Sequence, residues 1–493
     1  MIKLTTILLL AILSFTIPSS SSSSSYSSDD VCIIGSGMAG SSLAHFLRQY
    51  SSIPTTIRMF ERHHIIGGRM ATVTISGETF EAGASILHPK NYHALNFTNI
   101  LNLKALADND EENSAFSLGI WDGDKFLFKT IDSRSKNRVV QYFVSLANSI
   151  RMFFRYGVSL LKMTTFVEET VDSFLKYYES KETRPIFDNV EDMLKWAGLY
   201  NLTTQTLEEE LVGLKFSPLL IQELITVITR INYGQSVKIS GLAGAVSLAG
   251  SGGNLWAVEG GNWQMAAGLV NRSDVTLHLQ EEIESITNLG DFYELNSTKG
   301  NSYTCQVTVV ATPLDELNIR FTPEISIPER KLQHTYTTFV RGLLNPAYFG
   351  LNAVSDIPEL VGTIESPELP FTCISVLKQH DANDMTYKMF SRQSLTDALL
   401  DQIFSKRKET LRINWGAYPH YHAPEKFAPF MLDDRHLYYV NAFESAASTM
   451  ETSAVAAENI ARLILSRLSS EQLSSSNGLK TSTSNSNLQH PEL

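Results

Sequence analysis

The stretch Asp29–Gly40, Asp-Asp-Val-Cys-Ile-Ile-Gly-Ser-Gly-Met-Ala-Gly, decides the fold. Its short apolar run Val31–Ile34, rich in β-branched residues, predicts a strand buried in a parallel sheet. Gly35, Gly37 and Gly40 then form G-x-G-x-x-G, in which the glycines allow a tight turn, the approach of a pyrophosphate and close packing of helix on strand. Free N–H groups at the start of that helix favour the phosphate charge. The stretch therefore predicts a Rossmann-type nucleotide-binding domain.

Three further pieces make this motif specific. A second predicted strand, Thr56–Phe60, ends on Glu61, where an acidic residue meets a ribose 2′-hydroxyl. Gly67–Arg69 is a second glycine turn beside a cation, and Phe80–Ser85 follows a short predicted hairpin over Ala71–Thr79. A nicotinamide-dependent enzyme needs neither of the last two pieces. The combination resembles the family of FAD-dependent amine oxidases and their relatives.

Length and charge limit the function. The chain has 493 residues, 43% of them apolar, which is enough for two domains with their own cores. Its net charge is -12 and it has no dense cluster of Lys and Arg, so no nucleic-acid partner is expected.

Residues 1–25 predict a signal peptide rather than part of the fold. Lys3 supplies a minimal positive start, Leu4–Ile17 is apolar, and the serine run Ser19–Ser25 follows. The apolar run is shorter than the about 20 residues of a membrane-spanning helix; an uncleaved anchor is the alternative. No later stretch predicts a transmembrane helix, and peripheral association with a membrane stays open. We therefore expect entry into the secretory pathway, with glycosylation candidates at Asn96, Asn201, Asn271 and Asn296.

The spacing of cysteine and histidine argues against a disulfide framework and against a metal site. Among the three cysteines, Cys32 and Cys305 lie in predicted strands, and we expect both to be buried small hydrophobic residues. His420 and His422 would share one face of a strand, but no third ligand accompanies them. No bound metal is therefore expected.

The middle of the chain predicts a second lobe. Asn91–Leu106 is predicted as a helix, Ile120–Phe128 as a hairpin, and residues 138–232 as mostly helical. The helical stretch is rich in aromatic residues. Most of these should be core, and the alternative is that part of the stretch forms an apolar tunnel for a lipid. Cys305–Ala311 is predicted as a strand that closes the nucleotide-binding domain.

The C-terminal stretch predicts a strand, a loop and a helix. Leu437–Ala442 is the last predicted strand, and Met450–Leu468 is the last predicted helix, begun by a capping box between Ser448 and Glu451. In FAD enzymes of this shape the positive N-terminus of such a helix points at the flavin, where the reduced ring carries negative charge. Residues 469–493 are rich in Ser, Asn and Thr and are predicted to be disordered.

Longer motifs narrow the resemblance to one family. They are Gly83–Pro89 (GASILHP), Arg230–Ser236 (RINYGQS), Trp256–Asn262 (WAVEGGN), Ala417–Tyr421 (AYPHY) and Asn441–Glu451 (NAFESAASTME). All are similar to segments of the prenylcysteine oxidases, in particular to the plant farnesylcysteine lyase type. The similarity spans about residues 30 to 467, nearly the whole mature chain.

The resemblance implies an α/β fold with the two-domain architecture of amine oxidases and GDP-dissociation inhibitors. The Rossmann-type FAD-binding domain would be discontinuous, over residues 29–115, 245–330 and 431–468. A mixed α+β substrate-binding domain would comprise residues 116–244 and 331–430.

The resemblance also implies a reaction. A free prenylcysteine, carrying a farnesyl or geranylgeranyl group, is cleaved with O₂ and water to a prenyl aldehyde, cysteine and hydrogen peroxide, with noncovalent FAD as the oxidant. Such a reaction belongs to the breakdown of prenylated proteins, in a lysosome or vacuole. The C–H bond to be broken is allylic and adjacent to sulfur, so both groups stabilise the cation left by hydride loss. No strong general base is required at that carbon.

The FAD contacts of the family, carried over by position, fall on Gly35, Gly37, Gly40, Glu61, Gly68, Arg69, Gly83, Ser85, Ile283, Glu444, Met450 and Glu451. No residue is assigned as catalytic with the same support. His88 is a candidate for handling the proton of the attacking water, and a structural hydrogen bond is the alternative. The partners of the substrate's amine and carboxylate stay open among Arg69, Arg230, Glu259 and Arg341.

Two other functions fit the same fold. A flavin amine or polyamine oxidase would need acidic residues around an amine tunnel and often has a lysine near the flavin, and no lysine lies in the matched flavin segments. A non-catalytic prenyl-binding protein, such as the Rab escort proteins, would lack flavin chemistry, whereas this chain keeps the FAD pattern.

Overall fold

A computed structural model of the chain describes residues 30–51, 55–107, 117–131 and 137–483, without the side chains at 138 and 472–483. The predicted signal peptide and residues 484–493 lie outside the described residues.

The described chain contains a run of helices, α3 to α9, between two stretches that are rich in strands. The strands are β1 (Asp30–Ile34), β2 (Thr56–Glu61), β3 (Thr72–Ile75), β4 (Glu78–Glu81), β5 (Ala105–Ala107), β6 (Leu118–Trp121), β7 (Phe126–Lys129), β8 (Trp256–Val258), β9 (Val275–Leu279), β10 (Ile283–Asn288), β11 (Tyr293–Ser297), β12 (Ser302–Cys305), β13 (Val307–Val310), β14 (Arg320–Thr322), β15 (Leu332–Leu344), β16 (Leu360–Thr363), β17 (Cys373–Asp381), β18 (Asp384–Ser391), β19 (Phe404–Pro419) and β20 (Leu437–Tyr439). The α-helices are α1 (Met38–Tyr50), α2 (Tyr92–Ile100), α3 (Arg138–Tyr156), α4 (Ser159–Phe174), α5 (Val190–Ala197), α6 (Leu207–Gly213), α7 (Pro218–Leu220), α8 (Thr226–Tyr233), α9 (Gly241–Ala249), α10 (Trp263–Arg272), α11 (Asp397–Ile403) and α12 (Met450–Thr483). A π-helical turn, Ile221–Ile225, joins α7 to α8, and a 3-10 turn, Val440–Ser445, follows β20.

The sheet at the glycine motif is parallel throughout. Its strand order is β20-β13-β1-β2-β9, with β1 between β13 and β2. Residues Val31–Ile34 are buried, as expected for a central strand of a sheet covered on both faces. Helix α1 packs against α10 and α12. The predicted α/β fold with a Rossmann-type domain is confirmed.

Two cysteines of this domain form a disulfide, which the sequence did not predict. Cys32 of β1 is bonded to Cys305 of β12, with a Cα–Cα distance of 5.8 Å. Our interpretation of them as simple buried hydrophobic residues is wrong. Cys305 ends β12 just before β13, and β13 pairs directly with β1, so the fold brings Cys305 next to Cys32. A separation of 273 residues gives no local sign of this proximity. Cys373 is buried and free.

A seven-stranded sheet forms the second lobe, in the order β19-β15-β18-β17-β16-β6-β7. The predicted hairpin over Ile120–Phe128 is confirmed as the pair β6 and β7. Helices α3 to α9 belong to the stretch predicted to be helical and its continuation. The strands of this sheet fall within residues 118–129 and 332–419; the domain boundaries themselves stay a prediction.

Two predicted helix ends are wrong. Helix α2 stops at Ile100 instead of Leu106, because Asn102 takes a left-handed conformation with φ 52° that terminates a helix. Residues Ala105–Ala107 then pair with β8 as a strand. At the other end, α12 continues from Leu468 to Thr483, so residues 469–483 are helical rather than disordered. Its Glu471 carboxylate lies 3.1 Å from His436.

Candidate functional site

A cavity of about 530 Å³ lies between the parallel sheet and the seven-stranded sheet. Ile34, Phe60 and Ala311 line it, so it opens at the carboxyl ends of β1, β2 and β13. Thr337 of β15 and Phe390 of β18 line the opposite wall. Ligands of open α/β sheets bind at this edge. The cavity is therefore the candidate site.

The glycines of the first motif form a cradle in its floor. Gly35 has φ +109°, and a Cβ there would meet the carbonyl oxygen of Ala311 at 2.7 Å. A Cβ on Gly40 would lie 2.0 Å from the Gly35 carbonyl oxygen, which explains the close packing of α1 on β1. Gly37 and Gly68 face each other across the cavity floor, where a Cβ on Gly37 would stand 3.9 Å from the Gly68 Cα. A ligand can therefore approach the backbone of these glycine turns closely.

Glu61 stands beside this cradle at the end of β2 and is buried. One carboxylate oxygen accepts hydrogen bonds from the Ser36 backbone N–H at 3.1 Å and from the Ser36 hydroxyl at 2.6 Å. The other oxygen accepts the His63 N–H at 2.8 Å. A carboxylate offers about four acceptor positions, so an oriented position remains for one hydroxyl of a ligand.

Arg69 and Glu444 join the two walls of the cavity. The Arg69 guanidinium donates to the Ala417 carbonyl at 2.8 Å and forms an ion pair with Glu444. Glu444 is buried, accepts the Ser448 hydroxyl at 2.9 Å and lies 3.3 Å from Arg330. Burial alone would raise the pKa of Glu444, but the guanidinium groups of Arg69 and Arg330 hold that pKa below its usual range. Arg69 lines the cavity, whereas Glu444 lies outside the lining and orients Arg69 through the ion pair.

Helix α12 begins differently from the prediction. Thr449 is the capping residue: its hydroxyl accepts the Thr452 N–H at 2.9 Å, and the Thr449 N–H donates to the Thr452 hydroxyl at 2.9 Å. The expected capping box of Ser448 and Glu451 is wrong because both side chains have partners elsewhere. The Glu451 carboxylate accepts the N–H groups of His93 and Ala94, at 2.7 and 3.1 Å, in the first turn of α2. It therefore caps a neighbouring helix.

The remaining predicted contacts divide into two groups. Gly83, Ile283 and Met450 line the cavity together with the cradle, Glu61 and Arg69. Ser85 lies behind its wall and donates to the Gly83 carbonyl at 2.7 Å. Gly40, Ser85, Glu444 and Glu451 support the wall from outside the lining. The assignment of each residue to FAD stays a prediction.

Lys388, which sequence reasoning missed, supports the cavity wall from outside its lining. Its ammonium group donates to the Glu81 carbonyl at 2.9 Å and to the Ser85 hydroxyl at 3.0 Å, beneath the turn that carries Gly83. Burial lowers the pKa of Lys388 to about 8. The absence of lysine from the flavin segments was one argument against an amine oxidase, and that argument fails because β18 brings a lysine to them. The alternation of side chains along β18, in which Tyr387 and Met389 face the core, was the available signal.

A cluster of charged residues occupies another part of the cavity wall. Arg230 is buried and donates to Glu365 at 2.5 Å and to the Thr363 hydroxyl at 2.9 Å. Arg392, which sequence reasoning did not single out, binds the same Glu365 carboxylate with two hydrogen bonds of 2.6 and 2.8 Å. Burial would raise the pKa of Glu365, but Arg392 and Arg230 hold it below its usual range. Both arginines line the cavity.

This placement reduces the alternatives left open for the substrate's charged groups. Arg69 and Arg230 line the cavity. Glu259 lies at the surface, 3.1 Å from Lys104, and Arg341 pairs with Asp384 at 2.8 Å. Neither of the last two is among the lining residues.

His88 has a structural role. Its Nδ1 accepts the Lys90 N–H at 3.1 Å, and its carbonyl accepts the Trp256 indole N–H at 3.2 Å. Burial lowers the pKa of His88, and it does not line the cavity. The structural alternative is therefore favoured for this residue. His420 and His422 follow the end of β19, and among the described residues no cluster of His, Cys, Asp and Glu could hold a metal.

The aromatic helices contribute few residues to the cavity, and most of their inner side chains are core, as expected. Of residues 138–232, only Arg230 and Ile231 line the cavity. The inner faces of α3 and α4 pack into a second apolar core with Leu220, Leu224 and Val227. The alternative of a lipid-lined tunnel within these helices is therefore not supported by the cavity.

The cavity nevertheless fits FAD. The N-terminal residues of both α1 and α12 line it, Met38 and Met450 among them. Asn441 Oδ1 and Thr337 Oγ1 are buried without a hydrogen-bond partner in the described chain, and both residues line the cavity. Unpaired buried polar atoms of this kind indicate a missing ligand. A dinucleotide would meet the cradle at α1, and a flavin edge would meet the start of α12.

Comparison of the sequence with those of known proteins identifies the family that the motifs resemble. A family model described as prenylcysteine lyase matches residues 140–477, and one described as an NAD(P)-binding Rossmann-like domain matches residues 33–101. Farnesylcysteine lyase of Arabidopsis thaliana is 66% identical over 452 residues, which cover 90% of each chain. Prenylcysteine oxidase 1 of Homo sapiens is 34% identical over 470 residues, which cover 89% of each chain.

Solved structures show the same fold at low identity. A redesigned putrescine oxidase superposes with a TM-score of 0.58 and 13% identity, over 89% of this chain and 99% of the other. Cyclohexylamine oxidase from Brevibacterium oxydans superposes with a TM-score of 0.57 and 15% identity, over 90% and 100%. Such distant likeness concerns the fold alone, but the sequence relatives are close and nearly full-length. The resemblance to this family is thus confirmed, and this chain belongs to the prenylcysteine lyase family.

Proposed function

We propose that this chain is an FAD-dependent oxidase that cleaves free prenylcysteine with O₂ and water to a prenyl aldehyde, cysteine and hydrogen peroxide. Family membership supports this proposal. The geometry that carries it is a single cavity that contains both a dinucleotide cradle and a separate charged cluster, at Arg230 and Arg392, beside apolar walls. These are the elements that a zwitterionic amino acid with an apolar tail requires.

The charged cluster would hold the amino-acid end of the substrate. Arg392 is 37% exposed at its side chain and lines the cavity, so it is open to a ligand. Arg392 already donates to Glu365 and, through Nε, to the Gly234 carbonyl at 2.8 Å, so the substrate carboxylate would accept a hydrogen bond from a remaining N–H of its guanidinium. Arg230 holds Glu365 in place from the buried side.

The prenyl tail would lie against the apolar and aromatic part of the wall, which includes Phe390, Trp415, Tyr418 and Leu332. At about 0.8 kcal/mol per buried CH₂, a farnesyl group offers roughly 10 kcal/mol before ordering costs. When bound, FAD would supply the two-electron oxidation of the carbon next to sulfur. The protein's task is then to orient that carbon and to exclude all but the attacking water, and it needs no strong base.

Noncovalent binding of FAD is part of the proposal. The cradle, Glu61 and the two helix N-termini offer hydrogen bonds and dipoles that hold a dinucleotide without a covalent bond.

We further propose that the protein works in the secretory pathway, in a lysosome or vacuole. The Cys32–Cys305 disulfide supports an oxidising compartment, as does the predicted signal peptide. Three of the four candidate glycosylation sites, Asn96, Asn201 and Asn271, are exposed, whereas Asn296 is half-buried in β11. Glycan analysis of the protein from a eukaryotic host tests these sites.

The function is tested by colour and products. The purified protein should be yellow and should bleach when farnesylcysteine is added without oxygen; in air it should produce equal amounts of cysteine and peroxide. S-ethylcysteine, which lacks the allylic carbon, is the control and should leave the colour unchanged. Bleaching by spermine instead would favour an amine oxidase, and a colourless protein that still holds farnesylcysteine would favour a binding protein. Product analysis with farnesyl- and geranylgeranylcysteine gives the chain-length preference.

A further inference from the structure

Helix α3 presents an apolar face to the outside of the molecule. The α3 outer face consists of Val139, Phe143, Leu146, Ile150, Phe153 and Phe154, all of which are exposed. Phe154 is 84% exposed and Phe143 is 61% exposed. At about 100° per residue these six side chains fall within an arc of roughly 100°. A contiguous stripe of this kind is rare on a soluble monomer and marks an interaction surface.

The opposite side of α3 already packs against the protein. Asn148 and Tyr156 are buried there, Met152 packs against the second apolar core, and the Tyr156 hydroxyl donates to Glu223 at 2.9 Å. The helix is thus anchored by its inner side. The outer stripe therefore contributes nothing to the core and needs another explanation.

Helix α3 is basic in sequence, whereas the whole chain is acidic. Residues 137–167 contain Arg138, Arg151, Arg155 and Lys162 and no Asp or Glu, whereas the chain carries a net charge of -12. Arg155 is neutralised by Glu223 at 2.6 Å, and the Lys162 ammonium group donates to the carbonyls of Leu214 and Lys215, so Arg151 is the cation that the described side chains leave available beside this face. Arg151 is exposed, with its guanidinium 5.7 Å from the Phe128 ring centre. A basic, aromatic helix face is complementary to an anionic lipid surface.

A second copy of the chain is a poorer occupant. A twofold dimer would bring the same face of both copies together, and their basic residues would then repel each other across the interface. A bilayer surface offers apolar depth for the aromatic stripe and phosphate or carboxylate groups for the flanking cations.

The helix has the dimensions for lying on a membrane. Its 19 residues span about 28 Å at about 1.5 Å per residue. Across the residues that the structure describes, no helix is long and apolar enough to cross a bilayer. An amphipathic helix of this kind lies in the interface plane with its apolar face among the lipids.

We propose that the α3 outer face docks the protein on an anionic lipid bilayer, with Phe143 and Phe154 inserted and with Arg151 facing the headgroups. This inference does not depend on the proposed reaction. The peripheral association with a membrane, which the sequence left open, is thereby assigned to a defined surface.

Vesicle co-sedimentation of the full chain tests the docking. Vesicles of phosphatidylcholine with about one quarter phosphatidylserine should bind the protein more tightly than pure phosphatidylcholine, and salt should weaken the binding. Phe154→Glu should reduce binding at least about tenfold, the partition factor of a buried phenylalanine. Arg151→Gln should reduce it about fivefold, in keeping with one cation near the surface.

Leu289→Glu is the matched control, since Leu289 is also an exposed apolar residue, 50% exposed, on the other lobe. It should bind vesicles like the unchanged chain. Flavin content and the urea midpoint report folding; if Phe154→Glu alters either, Phe143→Ser replaces it. Absence of vesicle binding, or equal losses in Phe154→Glu and Leu289→Glu, would overturn the proposal. A concentration-dependent dimer that Phe154→Glu dissociates, with vesicle binding unchanged, would assign the face to a second copy instead.

Discussion

Replacing Lys388 by methionine tests whether this buried lysine gives up its charge near neutral pH. Burial brings the pKa of Lys388 from its ordinary value of 10.5 to about 8. One pKa unit corresponds to about 1.4 kcal/mol, so carrying the charge in the folded chain costs about 3 kcal/mol. Methionine removes this penalty. It also loses the hydrogen bonds to Glu81 and Ser85, each worth about 1.5 kcal/mol for a charged donor, so the net change at pH 7 is near zero.

The pH dependence separates the removal of the charge penalty from the loss of the two hydrogen bonds. Because the folded-state pKa lies below the unfolded one, the unfolded chain binds more protons between about pH 8 and 10.5, and stability rises with pH across that window. From these two pKa values, the lysine should contribute about 2 kcal/mol more stability at about pH 9.5 than at pH 7. Lys388→Met lacks this contribution. Its stability relative to the unchanged chain should therefore fall by about 2 kcal/mol over that range.

Urea unfolding at several pH values measures this difference. Lys378→Met is the control, because Lys378 lies on the adjacent strand β17 and its side chain is 51% exposed. The control should follow the unchanged chain in parallel at every pH. If the Lys388→Met curve is also parallel, Lys388 does not change its protonation in this range and our account of its burial is wrong.

Three further substitutions test the site. Glu61→Ala should leave the fold intact and weaken FAD retention by about tenfold or more, since a buried acceptor is lost; retention of stoichiometric flavin after gel filtration would refute the ribose assignment. Glu451→Ala removes two backbone caps of α2 and should lower the free energy of unfolding by about 2–3 kcal/mol, whereas Ser448→Ala should cost about 1 kcal/mol or less; thermal melts compare them, and equal losses would contradict the observed capping. Arg392→Gln should raise KM for farnesylcysteine about tenfold or more with little change in kcat, while Arg407→Gln, a change outside the cavity lining, should alter neither; an unchanged KM would remove Arg392 from the substrate site.

Parts of the molecule that depend on neighbours along the chain could be predicted from sequence. The β1–α1–β2 unit and its cradle follow from glycine spacing and a short apolar run, because turn, strand and helix there are all local. The hairpin β6–β7 follows from its turn residues in the same way. The five family motifs extended this local information to the cofactor and the reaction.

Features that depend on tertiary pairing could not be predicted. Cys305 meets Cys32 through a sheet neighbour, and Glu451 caps α2 rather than its own helix. Lys388 and Arg392 lie on or just after β18, where an alternating pattern marks two faces but not which face meets the cavity. The sequence shows that a carboxylate or an ammonium group is present, whereas only the fold determines which partner that group contacts.

The strand order β20-β13-β1-β2-β9 also sets when the cofactor lobe is finished during synthesis. Four of its strands have been synthesised once Val310 is made, but the outer edge of β13 stays open until Leu437–Tyr439 follows. At about 5–20 residues per second, that closing strand appears roughly 20–90 s after initiation. A messenger RNA truncated before this point yields a polypeptide in which the edge of β13 is unpaired, and such an edge favours aggregation. That polypeptide also lacks α12, whose N-terminal residues line the cavity. Late truncations should therefore abolish flavin binding as completely as early ones.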